Sequence, residues 1–247
     1  MKKIAIVTGG ANGIGAAIVD QLIQDNYYVA FIDIDEVNGI IMQNRLNSAN
    51  EVCKYYNLDV RNAEEIEGII REISKKGVIE VLVNNAGYSQ DSPIENISTE
   101  DWDNILNTHL RSSFLFIKAV TPIMKLNKYG RIINISSISA LGHSERASYC
   151  AAKSGMHGLI KSVASELGEF GVTANIIAPG LIVTNMTKKT ADRNNRTLEE
   201  HLQLAKEKIT VKRVGTPEDI SNAVSFFSNK KSGFITGQIL YISGNPD

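Results

Sequence analysis

"KIAIVTGGANGIG" (residues 3–15) decides the fold: a short apolar run, a glycine cluster, then the start of a helical pattern. Gly9, Gly13 and Gly15 permit a tight turn and close approach of the main chain to a diphosphate. Asn12 and Ile14 fill the loop between them, and the helix that follows turns its unpaired N–H groups and positive dipole end toward the same place. The next apolar run, "YVAFID", ends at Asp33, twenty residues after Gly13. A carboxylate there accepts hydrogen bonds from ribose hydroxyls and repels a 2′-phosphate. The chain continues Ile34, Asp35, Glu36, with no arginine or lysine to receive such a phosphate, and residue 12 is Asn. The expected cofactor is therefore NAD rather than NADP. The plainer reading of Asp33 is a cap on the strand end.

Further along, "VLVNN" (81–85), "RIINIS" (131–136), "TANIIA" (173–178) and "GQILYIS" (237–243) read as buried strands. Segments of helical periodicity lie between them, among them "GAAIVDQLIQDN" (15–26) and "AEEIEGIIREISKK" (63–76). Strands apolar on both faces, alternating with helices, predict an α/β fold: a doubly wound, Rossmann-type parallel sheet. No linker or repeat divides residues 1–247, so one domain is expected. The charge-dense stretch 184–213 breaks the alternation, and is either a substrate lid or a solvated pair of surface helices.

A net charge of −1 on 247 residues gives no electrostatic reason for nucleic acid or an anionic membrane as partner. The apolar N-terminal run is too short for a signal peptide, and no stretch approaches the length of a membrane span. Cys53 and Cys150 stand far apart and no His/Cys/Asp cluster has ligand spacing, so neither a disulfide framework nor a metal is expected. These features predict a cytoplasmic α/β protein.

In "ASYCAAKSGMHG" (147–158), Tyr149 and Lys153 share a helical face. A phenol of pKa about 10 is a poor base at neutral pH. An ammonium about 4 Å away, at an effective dielectric of about 20, favours the phenolate by roughly 4 kcal/mol. Lys153 is thus expected to lower the pKa of Tyr149 toward that of a general acid/base. Taken alone, the spacing equally suits a surface helix.

"TGGANGIG" (8–15), "NNAG" (84–87), "NISS" (134–137), "YCAAK" (149–153) and "APG" (178–180) occur in an order that resembles the short-chain dehydrogenase/reductase family. The likeness extends to "RVGTPEDISNAVSFF" (213–227) and "ITGQ" (235–238). The resemblance implies hydride exchange between a nicotinamide and a secondary alcohol or ketone. Tyr149 is then the acid/base, Lys153 its tuning and ribose-binding partner, and Ser137 the donor to the substrate oxygen. Ser136 and Ser139 are near enough to be confused with Ser137. It further implies Asp59 and Val60 beside the adenine and Asn85 and Gly87 beneath the nicotinamide ribose. Pro179, Ile182 and Thr184 fall at the carboxamide. A homotetramer, or homodimer, is the implied assembly, with 235–244 and helices near 109–127 and 148–168 at the interfaces.

One position departs from the pattern. His109 stands where the family has an asparagine, five residues before Phe114. It is either a variant proton relay, a neutral replacement, or a sign of impaired catalysis. Among the other histidines, His143 is expected to face substrate, His157 to be packed and His201 exposed. Specificity is expected in 88–96, 139–147 and 184–213. Two rival functions stay open. One is reduction of a 3-oxoacyl thioester on an acyl carrier protein, with Lys125, Lys128, Arg131 and Lys188 as a basic patch. The other is a dinucleotide-binding protein that turns over poorly.

Overall fold

The computed structural model describes residues 2–193 and 195–245; Met1, Asn194 (within 184–213), Pro246 and Asp247 lie outside the described residues. The strands are β1 (Lys2–Thr8), β2 (Tyr28–Asp33), β3 (Cys53–Asn57), β4 (Gly77–Asn84), β5 (Gly130–Ile135), β6 (Val172–Pro179) and β7 (Ile239–Ile242). Among the described residues they form one parallel sheet in the order β3-β2-β1-β4-β5-β6-β7. The doubly wound expectation holds. β3 is absent from the sequence reading because "CKYYN" lacks an unbroken apolar run: only Cys53 and Tyr56 are buried, as suits a strand on the sheet's edge.

Alternation of side chains builds two cores. In β1, Ile4 and Ile6 face one side and Ala5 and Val7 the other, and all four are fully buried. The first face packs against α3 (Ala63–Ser74) through Ile66 and Ile70, α5 (Ser112–Asn127) through Phe116 and Val120, and α6 (Ala147–Leu167) through Ile160. The second meets α1 (Gly13–Gln24) through Ile18, Val19 and Leu22, and α9 (Pro217–Ser228) through Ile220 and Val224. Fully burying one such side chain contributes roughly 1.5–3 kcal/mol, so the two layers fix the sheet firmly beneath the site.

The remaining helices are α2 (Glu36–Leu46), α4 (Thr99–Leu106), α7 (Asn185–Arg193) and α8 (Leu198–Lys208). The segment 184–213 is thus a helix pair: α8, held by a Thr197/Glu200 capping box, buries none of its residues, whereas α7 buries Thr187 and Ala191. Arg131 does not belong to a basic surface patch. It is buried on β5, with its guanidinium donating to the carbonyls of Gly130 and Gly171 at 2.8 and 3.3 Å. A cation on an interior strand must find such acceptors, and Arg131 spends its donors joining chain segments.

Candidate active site

Strand order reverses between β1 and β4, which opens a crevice at the carboxyl ends of the strands. A cavity of about 650 Å³ lies there. Gly9, Asn12, Gly13, Ile14, Gly15, Asp33, Ile34, Asp59, Val60, Asn85, Gly87, His109, Ser137, Tyr149, Lys153, Pro179, Ile182 and Thr184 all line it. The fold therefore gathers these residues into one space.

One end is made largely of main chain. Gly9 has φ +65°, and a Cβ there would stand 2.8 Å from Ala86 Cα; a Cβ on Gly15 would stand 1.8 Å from Gly9 O. No side chain fits at either position. Side chains of Asp35, Asn62, Ser98 and Thr197 cap α2, α3, α4 and α8, but Asn12 gives α1 no side-chain cap. The Asn12 amide donates instead to Asp35 Oδ2 at 2.9 Å. The first N–H groups of α1 are left for an anion, so these residues fit a dinucleotide diphosphate.

Asp33 is both strand-end cap and cavity wall. Its carboxylate accepts from the Ala11 and Asp35 N–H groups, each at 3.0 Å, and still lines the crevice. Asp59 is gripped by Arg61, a residue the sequence reading passed over, at 2.6 Å. The Arg61 hydrogen bonds hold the Asp59 carboxyl below its ordinary pKa. Asn85 donates through its side chain to Thr8 O and Gly9 O, at 3.1 and 2.9 Å, tying the end of β4 to the glycine loop.

The other end is made of buried side chains. Tyr149 and Lys153 are 9% and 3% exposed. Lys153 Nζ donates to Ile135 O at 2.7 Å and sits 5.5 Å from the centre of the Tyr149 ring. Burial brings the Lys153 ammonium down to about 7. Burial also raises Tyr149 above the ordinary phenol value, against the lowering effects of a hydrogen bond with Ser137 and the charge of Arg146. The expectation that Lys153 acidifies Tyr149 is corrected here. Desolvation opposes both charged forms, and the ammonium is anchored on a carbonyl.

The serines separate by partner. Ser137 lines the cavity, and its hydroxyl acts to lower the Tyr149 pKa. Ser136 Oγ contacts His157 Nε2 at 2.9 Å and donates to Lys153 O at 3.2 Å. Ser139 is buried and gives its N–H to Ser137 Oγ.

His109 lies in a π-helical turn, Asn107–Arg111, between α4 and α5. Its ring is 1% exposed and meets Tyr149 edge-on, with centroids 5.3 Å apart. Nε2 is 2.8 Å from Tyr88 O, while the buried Nδ1 has no partner among the described residues. Burial first, and Lys153 second, hold its pKa well below the ordinary value. His109 is thus neutral at pH 7. Gly87 leaves room for it, since a Cβ there would stand 2.0 Å from His109 Cε1.

Two histidine expectations fail. His143 is exposed on a loop, with Nδ1 at 2.7 Å from Ser144 O, and does not line the cavity. His201 is half-buried rather than exposed. His157 is half-buried, with Nε2 2.9 Å from Ser136 Oγ. The cavity wall also includes Tyr88, Asn104, Thr108, Arg146 and Met186, none of which the sequence reading singled out.

A family model described as Enoyl-(Acyl carrier protein) reductase matches residues 9–244. The 3-oxoacyl-[acyl-carrier-protein] reductase FabG of Staphylococcus epidermidis is 35% identical over 99% of this chain and 98% of its own. The protein of the same name from Buchnera aphidicola subsp. Schizaphis graminum is 37% identical over 98% and 96%. Among solved structures, a putative gluconate dehydrogenase from Agrobacterium tumefaciens superposes with a TM-score of 0.91 at 28% identity, covering 98% of this chain and 94% of that one. ElxO with NADP bound superposes with a TM-score of 0.90 at 31% identity, covering 99% and 98%.

Proposed function

The chain belongs to the short-chain dehydrogenase/reductase family of oxidoreductases, and from that premise we propose that it interconverts a secondary alcohol and a ketone with NAD(H). The observation that carries this reading is the convergence of Ser137, Tyr149 and Lys153 on the cavity that the uncapped end of α1 also faces. When bound, the nicotinamide supplies or accepts the hydride. Gly9, Gly13 and Gly15 seat the diphosphate, and Asp33 takes the adenosine ribose. Asp59 and Val60 flank the adenine, Asn85 and Lys153 serve the second ribose, and Pro179, Ile182 and Thr184 fix the carboxamide.

Ser137 donates a hydrogen bond to the substrate oxygen, where negative charge develops during reduction. Tyr149 gives that oxygen its proton, and in oxidation takes it back. Burial keeps the phenol protonated at neutral pH, the form that ketone reduction consumes. Alcohol oxidation needs the phenolate and so accelerates as pH rises. His109, neutral and edge-on to Tyr149, orients the ring and offers Nδ1 as an acceptor for a relay.

NAD is favoured over NADP because Asp33, Asp35 and Glu36 follow one another with no cation among them. The same reading makes α7 the lid part of 184–213, since Asn185, Met186 and Thr190 line the cavity. It extends to a cytoplasmic homotetramer, with Phe234, fully exposed beside β7, and Phe114, on α5, at its interfaces.

A second reading is 3-oxoacyl-[acyl-carrier-protein] reduction, favoured by the names of relatives similar over nearly the whole chain. Incubation with NADH or NADPH and a panel of ketones and 3-oxoacyl thioesters, followed at 340 nm, separates these. Faster turnover of small ketones with NADH is expected. Turnover of thioesters alone with NADPH supports the second reading, and dinucleotide binding without turnover of anything overturns both.

A further inference from the structure

The three segments expected to set specificity each contribute one residue to a single ion cluster. Arg146, directly before α6, donates through Nη2 to Asp91 Oδ2 at 2.9 Å. Arg193, from α7, reaches the same oxygen at 3.4 Å. Arg146 and Asp91 are each only 19% exposed, and Arg146 lines the cavity wall with Tyr149 and Ser137. Asp91 does not line it.

The cluster is not satisfied internally. Arg146 Nε and Asp91 Oδ1 are buried without partners among the described residues. A guanidinium carries five N–H donors in a planar fork, and Asp91 engages only one nitrogen. Two cations share one carboxylate, which leaves an excess of one positive charge. The acidic side chains lining the cavity, Asp33, Asp35 and Asp59, belong to the dinucleotide end. Around Tyr149 the charged lining residues are Arg146 and Lys153. A planar donor fork beside the proton-transferring phenol matches a carboxylate.

We propose that Arg146, positioned by Asp91, binds a carboxylate of the substrate, and that the substrates are short oxo acids and their hydroxy-acid counterparts. This rests on the oxidoreductase reading above and narrows its substrate class. Arg146 stands directly before α6 and Tyr149 in its first turn, and both line the same wall, which places a carboxylate held by Arg146 on the side of the cavity where the carbonyl reacts. A neutral ketone leaves the fork unpaired, and a site built to pair with a polar group rejects the analogue lacking it.

The test compares pyruvate, acetoacetate and levulinate with their methyl esters, in wild type, Arg146→Gln, Arg146→Lys and Asp91→Asn, reading kcat/KM with NADH and NADPH. Each ester keeps the carbonyl and loses the anion. In Arg146→Gln the best acid is expected to lose about thirtyfold or more relative to its ester, with Arg146→Lys intermediate. Asp91→Asn is expected to lose about tenfold on the acid, mostly in KM. Equal losses on acid and ester would overturn the subsite, leaving Arg146 as a loop anchor, while the oxidoreductase reading stood. In parallel, malonate is titrated calorimetrically into NADH-saturated protein. Binding by wild type that Arg146→Gln abolishes supports the subsite even if no oxo acid turns over. Identical binding, or none in either protein, overturns it. Failure of every oxo acid, ester, ketone and thioester with both nucleotides overturns the oxidoreductase reading separately.

Discussion

The two ends of the cavity are built by different means. At the dinucleotide end, shape comes from main chain: glycines too tightly packed for a Cβ, and a helix terminus without a side-chain cap. At the substrate end, it comes from buried side chains that perturb one another: Tyr149 raised, Lys153 lowered, His109 held neutral. Main-chain donors do not titrate, so the glycine loop itself keeps the same character across pH. The second end couples each charge to its burial, and therefore responds to pH and to single atoms.

The sharpest division comes from Tyr149→Phe, which keeps the ring and removes the transferred proton. Its kcat is expected to fall about a thousandfold in a stopped-flow or steady-state NADH assay. A loss under tenfold would move the acid/base elsewhere.

Gly15→Ala attacks the opposite end. Its Cβ would overlap Gly9 O at 1.8 Å, so the loop must open. NADH affinity, read by fluorescence titration, is expected to weaken about a hundredfold, with a stability loss of about 1–3 kcal/mol. Near-normal binding would mean that the cradle is not where the diphosphate lies.

Asp33→Ser removes the carboxylate expected to repel a 2′-phosphate. The preference for NADH over NADPH in kcat/KM should shrink by about tenfold. An unchanged ratio would assign that choice to other groups.

The stability of the cofactor-free protein sharpens the contrast through pH. Lys153 binds its proton less tightly folded, at about 7, than unfolded, at 10.5. Between those values the unfolded chain holds more protons, so stability rises with pH through that window and is lost as pH falls to 7. Thermal unfolding is expected to show a gain on the order of 2 kcal/mol from pH 7 to 9, which Lys153→Met flattens. His109, kept neutral when folded, adds the same sign below its unfolded value of 6.5. His109→Asn should retain activity with an altered pH profile, whereas His109→Leu should lose much of it. The smallest effect belongs to His143→Ala, expected to leave kcat/KM within twofold, because the side chain stands outside the cavity wall.

Which parts were legible in sequence follows from how local each signal is. The glycine loop, Asp33 and the Tyr149–Lys153 pair are read from residue type and short spacing, and the fold places them as read. β3 escaped because an edge strand carries mixed polarity. Arg131 looked like a surface cation, yet β5 carries it inward onto carbonyls. Arg61 and Arg146 went unremarked because an arginine gains meaning only from what surrounds it. Asp91, Arg146 and Arg193 are up to 102 positions apart along the chain and meet through the packing of loops around α6 and α7.

By itself the sequence determined the parallel sheet, the glycine loop and the residues we propose as the reacting side chains, because periodicity, glycine and helical spacing act over a few residues. Only the tertiary structure decided the protonation of Tyr149, Lys153 and His109 and the charge that greets a substrate. Those depend on desolvation and on distances between segments remote in the chain, which no local pattern encodes.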